Sequence, residues 1–281
     1  MIQTVAGRLT VCPTPIGNLR DLSPRVQHAL TDADLVACED TRRTGRLLDL
    51  LDLPKARLVS YHEHNEDRRT DELVRQMERG DRVALVSDAG TPTISDPGYR
   101  LVAVCRARGL DVEVLPGPSA AVTALVSSGL PAHRWRFEGY LPRRTGELER
   151  ILAASETVVA FESPRRLAKS LAALAALAPD RPAAVCRELT KLHEEVAVGP
   201  LGELARRFGG EVQGEVTVVL GAAPQESGPD QASGALAVDA ARRLVESGAR
   251  PRAAVSVVAT LTGTRANDLY RALTGRESRE G

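Results

Sequence analysis

Between Val83 and Gly98 the chain runs Val-Ala-Leu-Val-Ser-Asp-Ala-Gly-Thr-Pro-Thr-Ile-Ser-Asp-Pro-Gly. The apolar opening, Val83 to Val86, predicts a short strand buried on both faces, the pattern of a parallel sheet. A helical pattern resumes over Tyr99 to Arg108, after Asp96-Pro97-Gly98. The stretch is therefore a strand–loop–helix unit whose loop is rich in small and polar residues. In open α/β sheets ligands sit at the carboxyl ends of the strands, where small residues let them approach the backbone. A tight turn would use the same Gly and Pro for geometry alone. The neighbouring segments decide between the two.

The pattern recurs. Leu9 to Pro13 reads as a strand followed by Thr14-Pro-Ile-Gly-Asn-Leu19, and Ser23-Pro24 starts a helix reaching about Thr31. Leu35 to Cys38 is a second strand, ending in Glu39-Asp-Thr-Arg-Arg43, with a helix over roughly Thr44 to Leu51. Arg57 to Tyr61 is a third, ending in His62-Glu-His-Asn65, with a helix from Asp67 to Arg79. Val112 to Leu115 is a fifth, ending in Pro116-Gly-Pro-Ser119, and Ser119 caps a helix over Ala120–Ser127. Strands alternating with helices predict a parallel sheet. Chemically useful residues at the ends of consecutive strands predict one shared ligand cleft.

A second α/β pattern follows Leu130-Pro131. Its strands are Arg136–Leu141, Thr157–Phe161, Ala183–Arg187, Glu195–Val198 and Glu215–Leu220, with a helix over Pro164–Leu177. Residues 222–234 read as a flexible linker, and short helices are expected over Ala235–Ser247, Arg252–Leu261 and Arg265–Leu273. The predicted organisation is an N-terminal α/β domain (1–130), a second α/β domain (131–221), the linker (222–234) and a helix-turn-helix-like tail (235–281), which could equally be a helical cap.

Composition narrows the function. The formal net charge is zero, which excludes polyanion binding by bulk charge and leaves local basic patches. Aromatics are 3%, so the core must be Ala, Val and Leu. Cys12, Cys38, Cys105 and Cys186 form no CxxC pair, and buried thiols in a reducing compartment are expected. With no signal-peptide pattern and no long apolar run, the expected location is cytoplasmic. No Walker A loop, GxGxxG, HExxH or GxSxG is present. His62 and His64, two apart on one expected strand face with Glu63 and Glu66 nearby, lack an evident fourth ligand, so no metal is expected.

Taken together, Cys12-Pro-Thr-Pro-Ile-Gly-Asn-Leu-Arg-Asp21, Cys38-Glu-Asp-Thr-Arg42, Ser60-Tyr-His-Glu-His-Asn65, the Ser87–Gly98 loop, Leu115-Pro-Gly-Pro-Ser119, Phe137-Glu-Gly-Tyr-Leu-Pro142 and Phe161-Glu-Ser-Pro164 occur in order. They closely resemble the ribosomal small-subunit RNA 2'-O-ribose methyltransferase I family, over about residues 9 to 221. The resemblance implies the two-domain α/β tetrapyrrole-methylase fold of class III methyltransferases, with a helical C-terminal unit. It implies an S-adenosylmethionine-dependent enzyme, a homodimer, that methylates a cytidine 2'-hydroxyl in 16S RNA of the small ribosomal subunit. By motif, the cofactor would touch Pro15, Asp88, Ala89, Gly90, Thr91, Ile94, Ser119, Ala120 and, from the second domain, Glu162, with the Arg187-Glu188 region nearby. Candidates for a general base are Glu39, Asp40, His62, His64, Glu188 and Lys191, and no spacing singles one out. RNA contact is expected at Arg42, Arg43, Arg134, Arg136, Arg143 and Arg144, the last four interleaved with Trp135, Phe137 and Tyr140. The competing readings are a tetrapyrrole methylase and a non-enzymatic nucleic-acid-binding regulator.

Overall fold

The structure is a computed structural model describing residues 7–54, 56–223, 229–262 and 264–274. The chain forms two compact units, Met1–Ala223 and Pro224–Gly281.

The first unit contains two five-stranded sheets. In the first sheet the strands are β1 (Arg8–Val11), β2 (Leu35–Cys38), β3 (Arg57–Ser60), β4 (Val83–Leu85) and β5 (Asp111–Val114). They lie in the order β3-β2-β4-β1-β5, and every pairing is parallel. Parallel neighbours need crossovers. These are α1 (Pro24–Asp32), α2 (Thr41–Leu50), α3 (Glu66–Glu78) and α4 (Tyr99–Ala107), with α5 (Ala120–Ser128) following β5. Every residue of β2 and β4 is buried, as their unbroken apolar runs require. The connection leaving β2 runs outward to β3, while the one leaving β4 runs the other way to β5. Such divergence opens a crevice between the carboxyl ends of the two strands.

Local chemistry sets the helix starts. Ser23 accepts the Val26 N–H and Pro24 occupies the first turn of α1. Asp40 caps α2 by accepting the Arg42 N–H, so that helix begins at Thr41, three residues before the expected start. The segment Thr41–Arg43 is therefore helix, not loop.

The second sheet holds β6 (Trp135–Tyr140), β7 (Thr157–Glu162), β8 (Pro182–Arg187), β9 (Glu195–Pro200) and β10 (Val216–Leu220), in the order β6-β7-β10-β8-β9. Only β6 and β7 are parallel, so the sheet is mixed, as expected. Its helices are α6 (Thr145–Leu152), α7 (Pro164–Leu177) and α8 (Leu201–Arg207). The sequence reading had no helix at α6 or α8. Each is about two turns long and has Gly at its second position, too little for a 3.6-residue period to stand out.

A shared apolar cluster joins the two sheets. Ile16 and the Ala121, Ala124 and Leu125 face of α5 pack on Val159, Ala184, Cys186, Leu189 and Val219 of the second sheet. Alanines on that face let the helix lie close to the strands. With few aromatics, the core is built from Leu, Val and Ala; Tyr61, fully buried, satisfies its hydroxyl with Glu66 and Thr70, each at 3.0 Å.

The second unit is a three-helix cluster of α9 (Pro229–Glu246), α10 (Pro251–Thr262) and α11 (Ala266–Thr274) around Ala237, Ala241, Val255, Val258 and Leu269. The expected linker, 222–234, is corrected at its far end, because residues 229–234 are already helical. Pro is tolerated in a first helical turn, where its missing N–H has no intrahelical partner to lose. Residues 224–228 of that linker lie outside the described residues.

Candidate cofactor and substrate cleft

A cavity of about 470 Å³ lies between the two sheets of the first unit. That volume is in the range of small-molecule sites. One wall comes from the first sheet: Glu39 after β2, Asp88–Thr91 and Ile94–Asp96 after β4, and Ser119-Ala120 at the start of α5. The other is Phe161–Pro164, Cys186, Leu189 and Gly214–Thr217 of the second sheet, with Tyr140 beside them.

The loop after β4 is held from several sides. Gly90 and Thr14 form an isolated antiparallel bridge, and the Ser87 hydroxyl donates to the Gly90 carbonyl at 3.2 Å. The Thr91 hydroxyl donates to the Pro118 carbonyl at 3.0 Å, tying this loop to the one after β5. Gly90 has φ +80°, where a side chain is strained, and an added Cβ would lie 3.4 Å from Ile16 and 3.7 Å from the Pro118 carbonyl. Further along, Thr93 and Ser95 also carry positive φ, 75° and 64°. Strain of this kind persists only where the surroundings impose it, and it concentrates at functional sites. A wall of Ala, Gly, Thr and Ser backbone suits a folded ligand with an amino-acid end, because amides can follow its outline where larger side chains would collide.

Of the residues expected to hold the cofactor, Asp88, Ala89, Gly90, Thr91, Ile94, Ser119, Ala120 and Glu162 line this cavity. Pro15 does not. It lines a side pocket of about 140 Å³ with Thr14, Gly17, Thr44 and Ser87, and its neighbour Ile16 reaches the main cavity instead. Glu162 has a fully buried carboxylate that is already engaged: it accepts the Ser163 N–H at 2.7 Å and the Ser170 hydroxyl, and pairs with Arg166 at 3.3 Å. Its oxygens hold β7 to α7 rather than reaching for a ligand.

The candidate bases separate. Glu39 lines the cavity, and burial together with Asp88 raises its carboxyl above the usual range. Asp40 is committed as the α2 cap, and its hydrogen bonds from Arg42 hold it low. His62 and His64 do not share a strand face, because β3 ends at Ser60 and both lie in the turn beyond, rings 5.9 Å apart edge to face. His62 meets Asn65 at 3.1 Å through Nε2, while its buried Nδ1 has no partner; His64 is exposed. Among the described residues no cluster of three or more His, Cys, Asp or Glu side chains is arranged to hold a metal. Glu188 and Lys191 bind each other at 2.8 Å, and Lys191 also pairs with Glu215 at 3.1 Å. Desolvation works against the Glu188 charge, yet Lys191 and the Glu215 N–H hold its carboxyl low.

The basic residues scatter. Arg43 turns to the cavity wall and pairs with Asp88 at 2.9 Å. Arg42 folds back on Asp40, and Arg136 is partly neutralised by Glu138 and Glu156. Arg134, Arg143 and Arg144 are exposed, close in sequence to Trp135 and to Tyr140, which is 58% exposed and stacks edge to face on Phe161 at 5.9 Å.

Sequence comparison supplies the family. Residues 8–205 match the family described as Tetrapyrrole (Corrin/Porphyrin) Methylases. A Mycobacterium tuberculosis protein named ribosomal RNA small subunit methyltransferase I is 47% identical over 95% of each chain. One of the same name from Micromonospora olivasterospora is 43% identical over 98% of this chain and 89% of its own.

The chain belongs to the ribosomal RNA small subunit methyltransferase I family, within the tetrapyrrole methylases.

Solved structures share this family's fold. A diphthine synthase superposes with a TM-score of 0.61 at 17% identity, covering 76% of this chain and 90% of that one. The uroporphyrin-III C-methyltransferase from Thermus thermophilus, complexed with S-adenyl homocysteine, does so with 0.54 at 21%, covering 76% and 97%. In this member of the methyltransferase I family, the second-sheet wall (Phe161, Cys186, Leu189 and Gly214–Thr217) went unrecognised in the sequence. Those residues sit inside ordinary apolar strands or their ends, and only the folded register turns them inward. Asp96 was also passed over as a cavity residue, although an acid before Pro-Gly at a strand's carboxyl end was a visible signal.

Proposed function

We propose that this chain transfers a methyl group from S-adenosylmethionine to the 2'-hydroxyl of a cytidine in small-subunit ribosomal RNA. The observation that carries the reading is the small-residue cavity wall, Ala89-Gly90-Thr91 with Ser119-Ala120, in a chain nearly half identical to relatives named for small-subunit RNA methylation. Ala89, Gly90, Thr91, Ser119 and Ala120 would hold the cofactor, against Leu189 and Thr217 on the second sheet. The cofactor supplies an activated methyl group. The residues of the cleft would align donor and hydroxyl and exclude water. Exposed Arg143 and Arg144, close in sequence to the cavity residue Tyr140, suit phosphate contact and base stacking, while exposed Arg134 stands at the opposite end of β6. In this reading residues 1–130 and 131–221 act as two lobes, the enzyme is a cytoplasmic homodimer, and the α9–α11 unit adds RNA contact.

The test is methyl transfer from labelled S-adenosylmethionine with two acceptors in parallel, small ribosomal subunits and uroporphyrinogen. Label appearing in a single ribose-methylated cytidine is the expected result. Label in the tetrapyrrole alone would overturn the substrate, and no cofactor binding would overturn the activity.

A further inference from the structure

Methylating a hydroxyl releases a proton, and a group in the cleft has to accept it. Most titratable side chains there are already committed. Both oxygens of Glu162 are engaged within the protein. Asp88 is paired with Arg43 through Oδ2, while its buried Oδ1 has no hydrogen-bond partner, and Glu215 is paired with Lys191. Cys186 is buried in the contact between the sheets, and that burial pushes its thiol up to about 12. Among the described residues, two carboxylates of the cavity have no ion-pair partner, Glu39 and Asp96. Glu39 is the first residue after β2, and Asp96 lies in the loop after β4, so they flank the crevice where the two connections diverge.

We propose that Asp96 accepts the proton of the substrate ribose hydroxyl, with Glu39 as the second carboxylate of the crevice. This rests on the RNA methyltransferase reading above. Asp96 lies between Ser95, at φ +64°, and Pro97, which restricts the backbone of the residue before it. Burial and the charges of Glu39 and Asp88 push its carboxyl up to about 6, with the Ser87 side chain acting in the opposite direction. It is then ionised at neutral pH yet more basic than an ordinary carboxylate, the condition for effective proton transfer. The other titratable and charged groups around this pair are Arg43, His62 and Asp40, which act on Glu39. In the step, the hydroxyl oxygen bonds to the methyl carbon while the carbon–sulfur pair stays on sulfur. The proton passes to the Asp96 carboxylate and from there to water.

The full-length protein, Asp96→Asn and Glu39→Gln are compared in single-turnover methylation of small subunits across pH 5–9. Calorimetry with S-adenosylhomocysteine gives cofactor-site affinity, and carbon-13 NMR of labelled aspartate gives the Asp96 titration directly. Asp96→Asn should slow transfer by ~100-fold or more, the size of a lost general base, with affinity changed less than about threefold. The wild-type rate should fall below pH about 6, the Asp96 resonance should titrate there, and both midpoints should move down in Glu39→Gln. An Asp96→Asn rate within about threefold of wild type would overturn the proposal, as would a loss of affinity that accounts for the whole rate loss. Should Asp96→Asn not fold, the wild-type titration decides, and a midpoint in the ordinary carboxylate range refutes the assignment. Failure of the wild-type chain to methylate RNA at any pH is the separate failure of the substrate reading.

Discussion

Replacing Gly90 tests the cofactor wall. The glycine sits at φ +80°, so any L side chain there costs roughly 1–2 kcal/mol of backbone strain. The added Cβ would lie at 3.4 Å from Ile16, a tight contact with another cavity residue, and valine would add two methyls to the same space. The Thr14 bridge and the Ser87 and Thr91 hydroxyls should hold the loop in place. Gly90→Val should therefore stay folded, with Tm lower by about 2–8 °C for that strain in a unit of this size. Filling the ligand's space should cost at least ~2.7 kcal/mol of binding, about 100-fold in Kd for S-adenosylmethionine. Gly129→Ala is the control. That residue ends α5 at φ +64° with nothing within 4 Å of the added Cβ, so it carries like strain away from the cavity. Calorimetric titration and thermal melts of both variants give the answer. A folded Gly90→Val protein that binds cofactor normally would refute the wall assignment. Equal weakening in Gly129→Ala would show that strain, not lost space, is responsible.

Other outcomes follow from the same geometry. Arg143→Ala with Arg144→Ala should weaken RNA binding and flatten its salt dependence by about 1–2 units of log–log slope, leaving cofactor affinity unchanged; an unaltered slope in a filter-binding titration would make the pair merely structural. Ser170→Ala removes one partner of the buried Glu162 carboxylate and should cost ~1–3 kcal/mol in denaturant unfolding with cofactor affinity intact, whereas a selective loss of affinity would place Glu162 at the ligand. Truncation after Ala223 removes the helical unit and should raise the RNA concentration for half-maximal rate while sparing single-turnover transfer at saturation; loss of the chemical step itself would put the tail in the active site.

The first sheet was legible because each of its strands is a short apolar run closed by residues that break the pattern, as in Leu35–Cys38 followed by Glu39-Asp40. Its cavity wall was legible for the same reason: Ala89-Gly90-Thr91 and Ser119-Ala120 sit where a parallel strand must release the chain. The opposite wall was not. Cys186 and Thr217 are spaced like any core residues of a mixed sheet, and only the antiparallel register between β8 and β10 brings them together facing the cavity. Charge pairing was equally hidden. Arg43 and Asp88 are distant in sequence, and nothing local foretells that the arginine expected to meet RNA closes on an acid of the cleft. The histidine pair misled through one assumption, that β3 continued past Ser60, which the Asn65 side chain prevents by capturing the Ser60 carbonyl and the His62 N–H.

The most direct test maps 2'-O-methylation across small-subunit ribosomal RNA in a strain lacking this gene, before and after it is restored. The account predicts one cytidine whose ribose methylation disappears on deletion, returns with the wild-type gene and does not return with Gly90→Val. An unchanged methylation map in the deletion strain would contradict it.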